Sequence, residues 1–337
     1  MLFDCSGRAY KCEQVLHSHP KNRAFDDYLA RCENKSYVVK RLTPDVFKQS
    51  LQLKNEFADT HRLPMHIDYN KEEHTLVYEY FRNDLLSLVK DNPNFPLAAR
   101  KQILWEAGKA LKKLHARNWI HMLKPDNVMA NWSLDKQGRV SIDRMALADI
   151  DYGLKVKDSQ FLRLPGAQRI GNPTWRSPEA QTGKGIHKKS GVLLWGVDSV
   201  AAEEHLLITT ILLPLYNHGV GDSARGFPGA KGIRFHARTG RFDQNARVRV
   251  GGSVDGTIAT SRGRWRFKQV FEALGAARLF PNLDAETKRM LSRVLNLDPA
   301  QRANMDEVLQ DDWWGDKSMI SASNETLPVS SIHKAAD

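Results

Sequence analysis

The chain reads as an α+β protein in two parts, a strand-rich beginning and a longer, mostly helical remainder. Three observations predict this. β-Branched and aromatic runs of strand length concentrate before Phe81. Apolar residues at helical spacing dominate from Leu97 onward. Strands come first with one helix among them, so the strand and helix alternation of βαβ units is missing.

Residues 28–32 and 36–42 are expected to be strands, because β-branched and aromatic residues flank the polar turn Glu33-Asn34-Lys35. This hairpin ends near Lys40. Val46, Phe47, Leu51, Leu53 and Phe57 recur at an imperfect helical spacing and predict one helix over 45–61. The run TLVYEYF at 75–81 has strand length, and Asn83-Asp84 is placed to cap a short helix reaching Val89. Ile103, Leu104, Ala107, Ala110, Leu111 and Leu114 line one face of a predicted amphipathic helix over 97–115. Strands are expected at 128–132 and 145–150, across a polar turn at 135–138, and helices at 285–297 and 305–314. The Ser/Ala-rich residues 316–337 are expected to be a flexible tail.

With 337 residues, 41% hydrophobic and 26% charged, the chain is long enough for two substantial cores. Its three cysteines, Cys5, Cys12 and Cys32, all lie in the first tenth of the sequence and suggest free thiols in a reducing compartment. Residues 1–10 carry neither the basic run nor the apolar core of a secretory signal, so an intracellular location, cytoplasmic or nuclear, is expected. The most apolar stretch, 192–215, is interrupted by Asp198, Glu203, Glu204 and His205. It predicts a buried helix and no membrane span. Net charge is +11, but nine Lys or Arg against three Asp between Gly221 and Trp265 supply about half of it. Nucleic acid is therefore not expected as a partner.

The segment His121-Met122-Leu123-Lys124-Pro125-Asp126-Asn127 resembles the catalytic loop of protein kinases, H-R-D-L-K-P-E-N, without its aspartate. Met122 stands near that position. Other segments follow in the order a protein kinase requires. Tyr37-Val38-Val39-Lys40 is similar to the V-A-I-K strand, 171–179 (GNPTWRSPE) to the end of an activation segment, and 297–302 (LDPAQR) to the late D-P-x-x-R element. The resemblance implies a bilobal protein-kinase-like fold, with a small β-rich N-lobe over 1–82 and a larger, mostly helical C-lobe over 83–315.

It also implies ATP and Mg2+ as cofactors and a protein as substrate or binding partner. Lys40 would hold the α- and β-phosphates, and Tyr78 would guard the back of the adenine pocket. Glu79 to Phe81 would offer backbone hydrogen bonds to the base, and Met129 would form its floor. Lys124 would neutralise the transferring phosphate, and its K-P-D-N setting is that of the serine/threonine branch. Asn127 would hold a metal ion. The second ligand is Asp149, with Asp151 as the alternative, because 147–153 (LADIDYG) contains two partial D-F-G matches. Glu179 and Arg302 would form a buried structural ion pair.

Four departures weaken the expectation of catalysis. The general base is absent, and a thioether cannot accept a hydroxyl proton. Residues 17–27 (HSHPKNRAFDD), where the phosphate loop belongs, contain no glycine, so close backbone approach to phosphate is lost. Gly191 stands where an aspartate braces the catalytic loop. The helical partner of Lys40 is open among Glu56, Gln49 and Gln52. The Gly/Arg-rich region 219–264 fits no kinase element and is read as an insertion, a disordered segment or a coding-sequence error. Function is thus expected to be serine/threonine kinase-like, with ATP binding and, if active, γ-phosphoryl transfer to protein hydroxyls. The alternative is a pseudokinase that serves as a binding or scaffold module.

Overall fold

The computed structural model describes residues 2–19, 22–92, 94–156, 161–163, 165, 170–171, 176–181, 183–203, 284–296 and 298–315. It also describes short strands at 235–236, 241–242, 258–260, 263–265 and 325–326. The architecture is α+β and bilobal, a sheet followed by a helical body. Ser159 and Thr174, candidate modification sites in the expected activation segment, lie outside the described residues, as does most of 219–264.

The sheet begins with a strand that the sequence did not announce. Strands β1 (Leu2–Cys5) and β2 (Arg8–His17) form a hairpin in which Cys5 faces Arg8. Its two turn residues, Ser6 and Gly7, both take positive φ, 47° and 79°, a twist that suits two-residue hairpins. Strands β3 (Asp27–Cys32) and β4 (Lys35–Arg41) pair across Glu33 and Asn34, also at positive φ, so the turn is one residue tighter than expected. After helix α1 (Pro44–Glu56) come β5 (Asp68–Asn70) and β6 (Thr75–Glu79). The order in the sheet is β1-β2-β3-β4-β6-β5, all antiparallel pairs.

Two predicted boundaries shift here. Helix α1 stops at Glu56 rather than 61, because Phe57 leaves helical geometry and buries its ring while Asp59 pairs with Lys113 at 2.6 Å. Strand β6 stops at Glu79, so Tyr80 and Phe81 fall outside the ladder and lead into the second lobe.

Strand β7 (Asn83–Asp84) leads into α2 (Leu85–Asp91), where the Asp84 carboxylate accepts from the Ser87 amide at 2.8 Å as an N-cap. Helix α3 (Leu97–Ala116) buries the predicted apolar face completely, from Ile103 to Leu114. Next are β8 (Trp119–Ile120), β9 (Val128–Leu134), β10 (Arg139–Leu147) and β11 (Leu154–Lys155). Strands β9 and β10 run further toward their shared turn than expected, because Asp135 ties the turn by accepting from the Gln137 and Arg139 amides. Glu325 and Thr326, within the expected tail, pair with Val140 and Arg139 at the edge of β10.

The helices α4 (Pro178–Gln181), α5 (Lys188–Glu203), α6 (Ala285–Val294) and α7 (Met305–Gln310) complete the described body. The last predicted helix is split: Asp311 is extended, and a 3-10 turn over Asp312–Trp314 follows. Here Trp314 packs on Trp105 and Trp313 with centroids 4.7 Å apart, and on Trp195 at 5.9 Å. The indole N–H groups of Trp313, Trp314 and Trp195 donate to Thr287, Val308 and Leu104, which lets this polar edge be buried without loss. Among the described residues no helix is long and apolar enough to cross a membrane.

Candidate active site

Strand β4 carries Lys40 to the cleft between the sheet and the helical body. Its Nζ lies 3.0 Å from Asp149 Oδ1 and 3.7 Å from Asp27 Oδ2. Burial opposes the ammonium charge, but the carboxylates of Asp149, Asp27 and Asp151 outweigh it and hold the lysine pKa above its usual value. Asp149 follows β10 in the left-handed region, φ 62° and ψ 29°, a backbone conformation uncommon for a residue other than glycine. Burial raises the Asp149 pKa and Lys40 lowers it further, so the carboxyl titrates below the ordinary range.

Asp151 has a different setting. It is buried, and one oxygen, Oδ1, accepts from Ser50 Oγ and from Tyr78 Oη, both at 2.7 Å. Burial pushes its pKa up despite Lys40 and these two donors. Gln49 Nε2 donates to the carbonyls of Asp151 at 2.7 Å and Gly153 at 2.9 Å. Helix α1 is therefore fastened to the segment after β10 by neutral side chains of two adjacent residues. Glu56 does not reach Lys40: it pairs with Lys155 at 3.0 Å. None of Gln49, Gln52 and Glu56 forms an ion pair with Lys40, whose acidic partners are Asp149 and Asp27.

The catalytic-loop segment lies beneath. Leu123 is fully buried, and Met122 packs against both the main core and the cluster of Ile120, Val156, Ile170, Ala180 and Ile186. A Cβ on Gly171, itself at φ 88°, would meet Met122 Cε at 2.5 Å, so the thioether fills the space beside the expected activation segment. Lys124 Nζ is 2.8 Å from Asp126 Oδ2, the carboxylate nearest to it in sequence. Asn127 is buried, and its carbonyl accepts from the Ala148 amide at 2.8 Å, which sets it next to the start of the Asp149 segment.

Oxygen donors at Asn127 and Asp149 suit a hard cation. No group of three or more His, Cys, Asp or Glu among the described residues would hold a metal by itself. A magnesium ion there would have to complete its shell with phosphate or water oxygens.

The other expected positions have their own local partners. Glu79 ends β6 with its side chain paired to Arg144, and the Arg144 guanidinium also covers the buried Phe81 ring at 5.1 Å. Met129 lies in β9 opposite Ala146 of β10 and Asp84 of β7. Gly191 faces the catalytic loop from α5: a Cβ there would meet His115 Nε2 and the His121 carbonyl at 3.3 Å each. The brace is absent. His115 Nε2 is buried without a hydrogen-bond partner, and burial drives its pKa down to about 3.

At the base of the helical lobe, Arg302 Nη1 and Nη2 reach Glu179 Oε1 and Oε2 at 2.9 and 3.1 Å, with both side chains buried. Ser190 Oγ adds a 2.5 Å bond to the same Oε1, and Arg302 also donates to the carbonyls of Asn296 and Lys189.

Asp27, Ser50 and the role of Gln49 as a backbone donor were not read from the sequence. For Asp27 the signal was available: a two-residue turn at Glu33-Asn34 fixes Cys32 opposite Lys35, and counting back places Asp27 opposite Lys40.

A family model described as protein kinase domain matches residues 64–314. The serine/threonine-protein kinase MAK of Mus musculus is 21% identical over 268 residues, covering 77% of this chain and 37% of that protein. Mitogen-activated protein kinase 15 of Arabidopsis thaliana is 24% identical over 261 residues, covering 76% of this chain and 40% of its own length. The chain thus spans about two-fifths of the length of these relatives. Family match and α+β bilobal architecture agree, and the chain belongs to the protein kinase domain family.

Proposed function

We propose that this protein is a catalytically impaired kinase-fold module that keeps a nucleotide cleft and acts chiefly by binding a protein partner. The observation that supports this reading is Met122, which by the resemblance stands near the position of the missing aspartate and packs against two apolar clusters. Loss of a general base alone typically lowers the rate about 10²–10⁴-fold.

In this reading Lys40, the backbone of Glu79 to Phe81, and Met129 hold the nucleotide, while Asn127 and Asp149 hold Mg2+, which supplies charge neutralisation along the phosphates. Residues 1–82 and 83–315 are the two lobes, and the setting is intracellular, cytoplasmic or nuclear. A second reading, γ-phosphoryl transfer to protein Ser/Thr hydroxyls, is favoured by the intact Lys40–Asp149 pair and by Lys124 in its K-P-D-N context.

A phosphoryl-transfer assay on generic protein substrates, run beside a thermal-shift titration with adenine nucleotides, separates the two. The module reading expects ligand-dependent stabilisation without turnover. Turnover that Lys40→Met abolishes would sink it in favour of the second.

A further inference from the structure

Lys40 meets two carboxylates from two different parts of the fold. Asp149 approaches from the end of β10 at 3.0 Å, and Asp27 approaches from β3 at 3.7 Å. Asp27 stands directly opposite Lys40 in the β3–β4 register, so both side chains lie on the same face of the sheet. Lys40 and Asp27 are 16% and 26% exposed, a setting in which charge interactions are stronger than in water.

Five described amides of the loop before Asp27 are also engaged within the protein. The His19 amide donates to Asp26 Oδ1 at 2.7 Å, that of Asn22 to His19 Nδ1 at 3.1 Å, and that of Ala24 to Asn22 Oδ1 at 3.0 Å. The Phe25 and Asp26 amides close onto the carbonyls of Asn22 and Arg23. The 3-10 turn Arg23–Phe25 packs against β4, the strand that carries Lys40.

Ammonium and loop amides are the two fixed sources of positive potential for a phosphate chain. Here the Lys40 ammonium and these five amides are engaged inside the protein. An entering phosphate must displace Asp27 from Lys40 and then lie beside the carboxylate it has displaced.

We propose that Asp27 stands in for a phosphate at Lys40, so that the cleft selects an uncharged purine nucleoside over the corresponding nucleotides and admits a phosphate chain only together with a divalent cation. This rests on the reading of the cleft as a purine pocket.

The test measures binding of adenosine and ATP to the full chain by calorimetry, each in EDTA and in MgCl2, for the native protein, Asp27→Asn and Asp27→Ala. In EDTA the native protein is expected to bind adenosine more tightly than ATP. Both variants should gain ATP affinity in EDTA by about tenfold or more, with adenosine affinity unchanged. Asp27→Asn keeps the side-chain shape, and Asp27→Ala removes it, so a shared gain identifies charge as the cause. Unchanged ATP affinity in both variants, with adenosine still bound, would overturn the role of Asp27 alone. Failure of every protein to bind either ligand would overturn the purine pocket together with it.

Discussion

The two ends of the helical lobe have fared differently. At its base, Glu179, Arg302, Ser190 and the carbonyls of Asn296 and Lys189 form a buried network whose charges are paired and surrounded by donors and acceptors. Toward the sheet, the Met122 thioether packs on apolar side chains, His115 Nε2 is buried without a partner beside Gly191, and Lys40 meets two carboxylates. The base holds the lobe together and must be kept whatever the protein does. The cleft is constrained only by the chemistry asked of it, so its divergence speaks to function while the base speaks to fold.

Breaking the base should have the largest effect. Arg302→Leu leaves the buried Glu179 carboxylate without its cation, and should cost about 3–5 kcal/mol in urea unfolding. Replacing both residues by leucine should cost less than this single change, since no charge is then stranded.

Asp151→Ala comes next. It deprives the Ser50 and Tyr78 hydroxyls of their common acceptor, and should cost about 2–3 kcal/mol while lowering hydrogen-exchange protection in α1. Lys40→Met should leave that protection intact, because no side chain of α1 depends on the lysine. Loss of α1 protection in Lys40→Met would mean that the two lobes are joined through the ion pair after all.

His115 gives the contrast a pH signature. Its imidazole stays neutral in the folded protein down to about 3, whereas the unfolded chain takes up a proton near 6.5. The unfolded state therefore binds more protons between these values, and stability should fall as pH drops from 6.5 toward 3. His115→Phe should flatten that slope in urea midpoints recorded across the window. An identical slope would mean that His115 finds a partner in solution.

The smallest effect is expected at Lys124→Ala. Its pairing with the exposed Asp126 is solvent-screened, and stability should change by no more than about 0.5 kcal/mol.

Much of this contrast is legible in the amino-acid sequence alone. The periodic face of α3, the strand that carries Lys40 and the distant Glu179 and Arg302 announce themselves, because each is a local pattern or one half of a separated motif. Cross-strand and cross-lobe geometry is not legible there. Asp27 acquires meaning only through the register of β3 on β4, and Gln49 and Ser50 only where α1 meets the turn after Asp149. The strand Leu2–Cys5 is hidden because four residues carry too little periodicity to be told from a loop.

The aromatic cluster at the far end of the helical lobe has a practical side. All eight tryptophans of the chain come after Phe81, and three of them, Trp105, Trp195 and Trp313, surround a fourth, Trp314. Tryptophan emission, excited apart from tyrosine, thus has no source in the sheet that carries Lys40 and Asp27. A single tryptophan placed at the exposed Val15 would give the sheet its own optical signal, so that melting of the two lobes could be followed separately in one molecule.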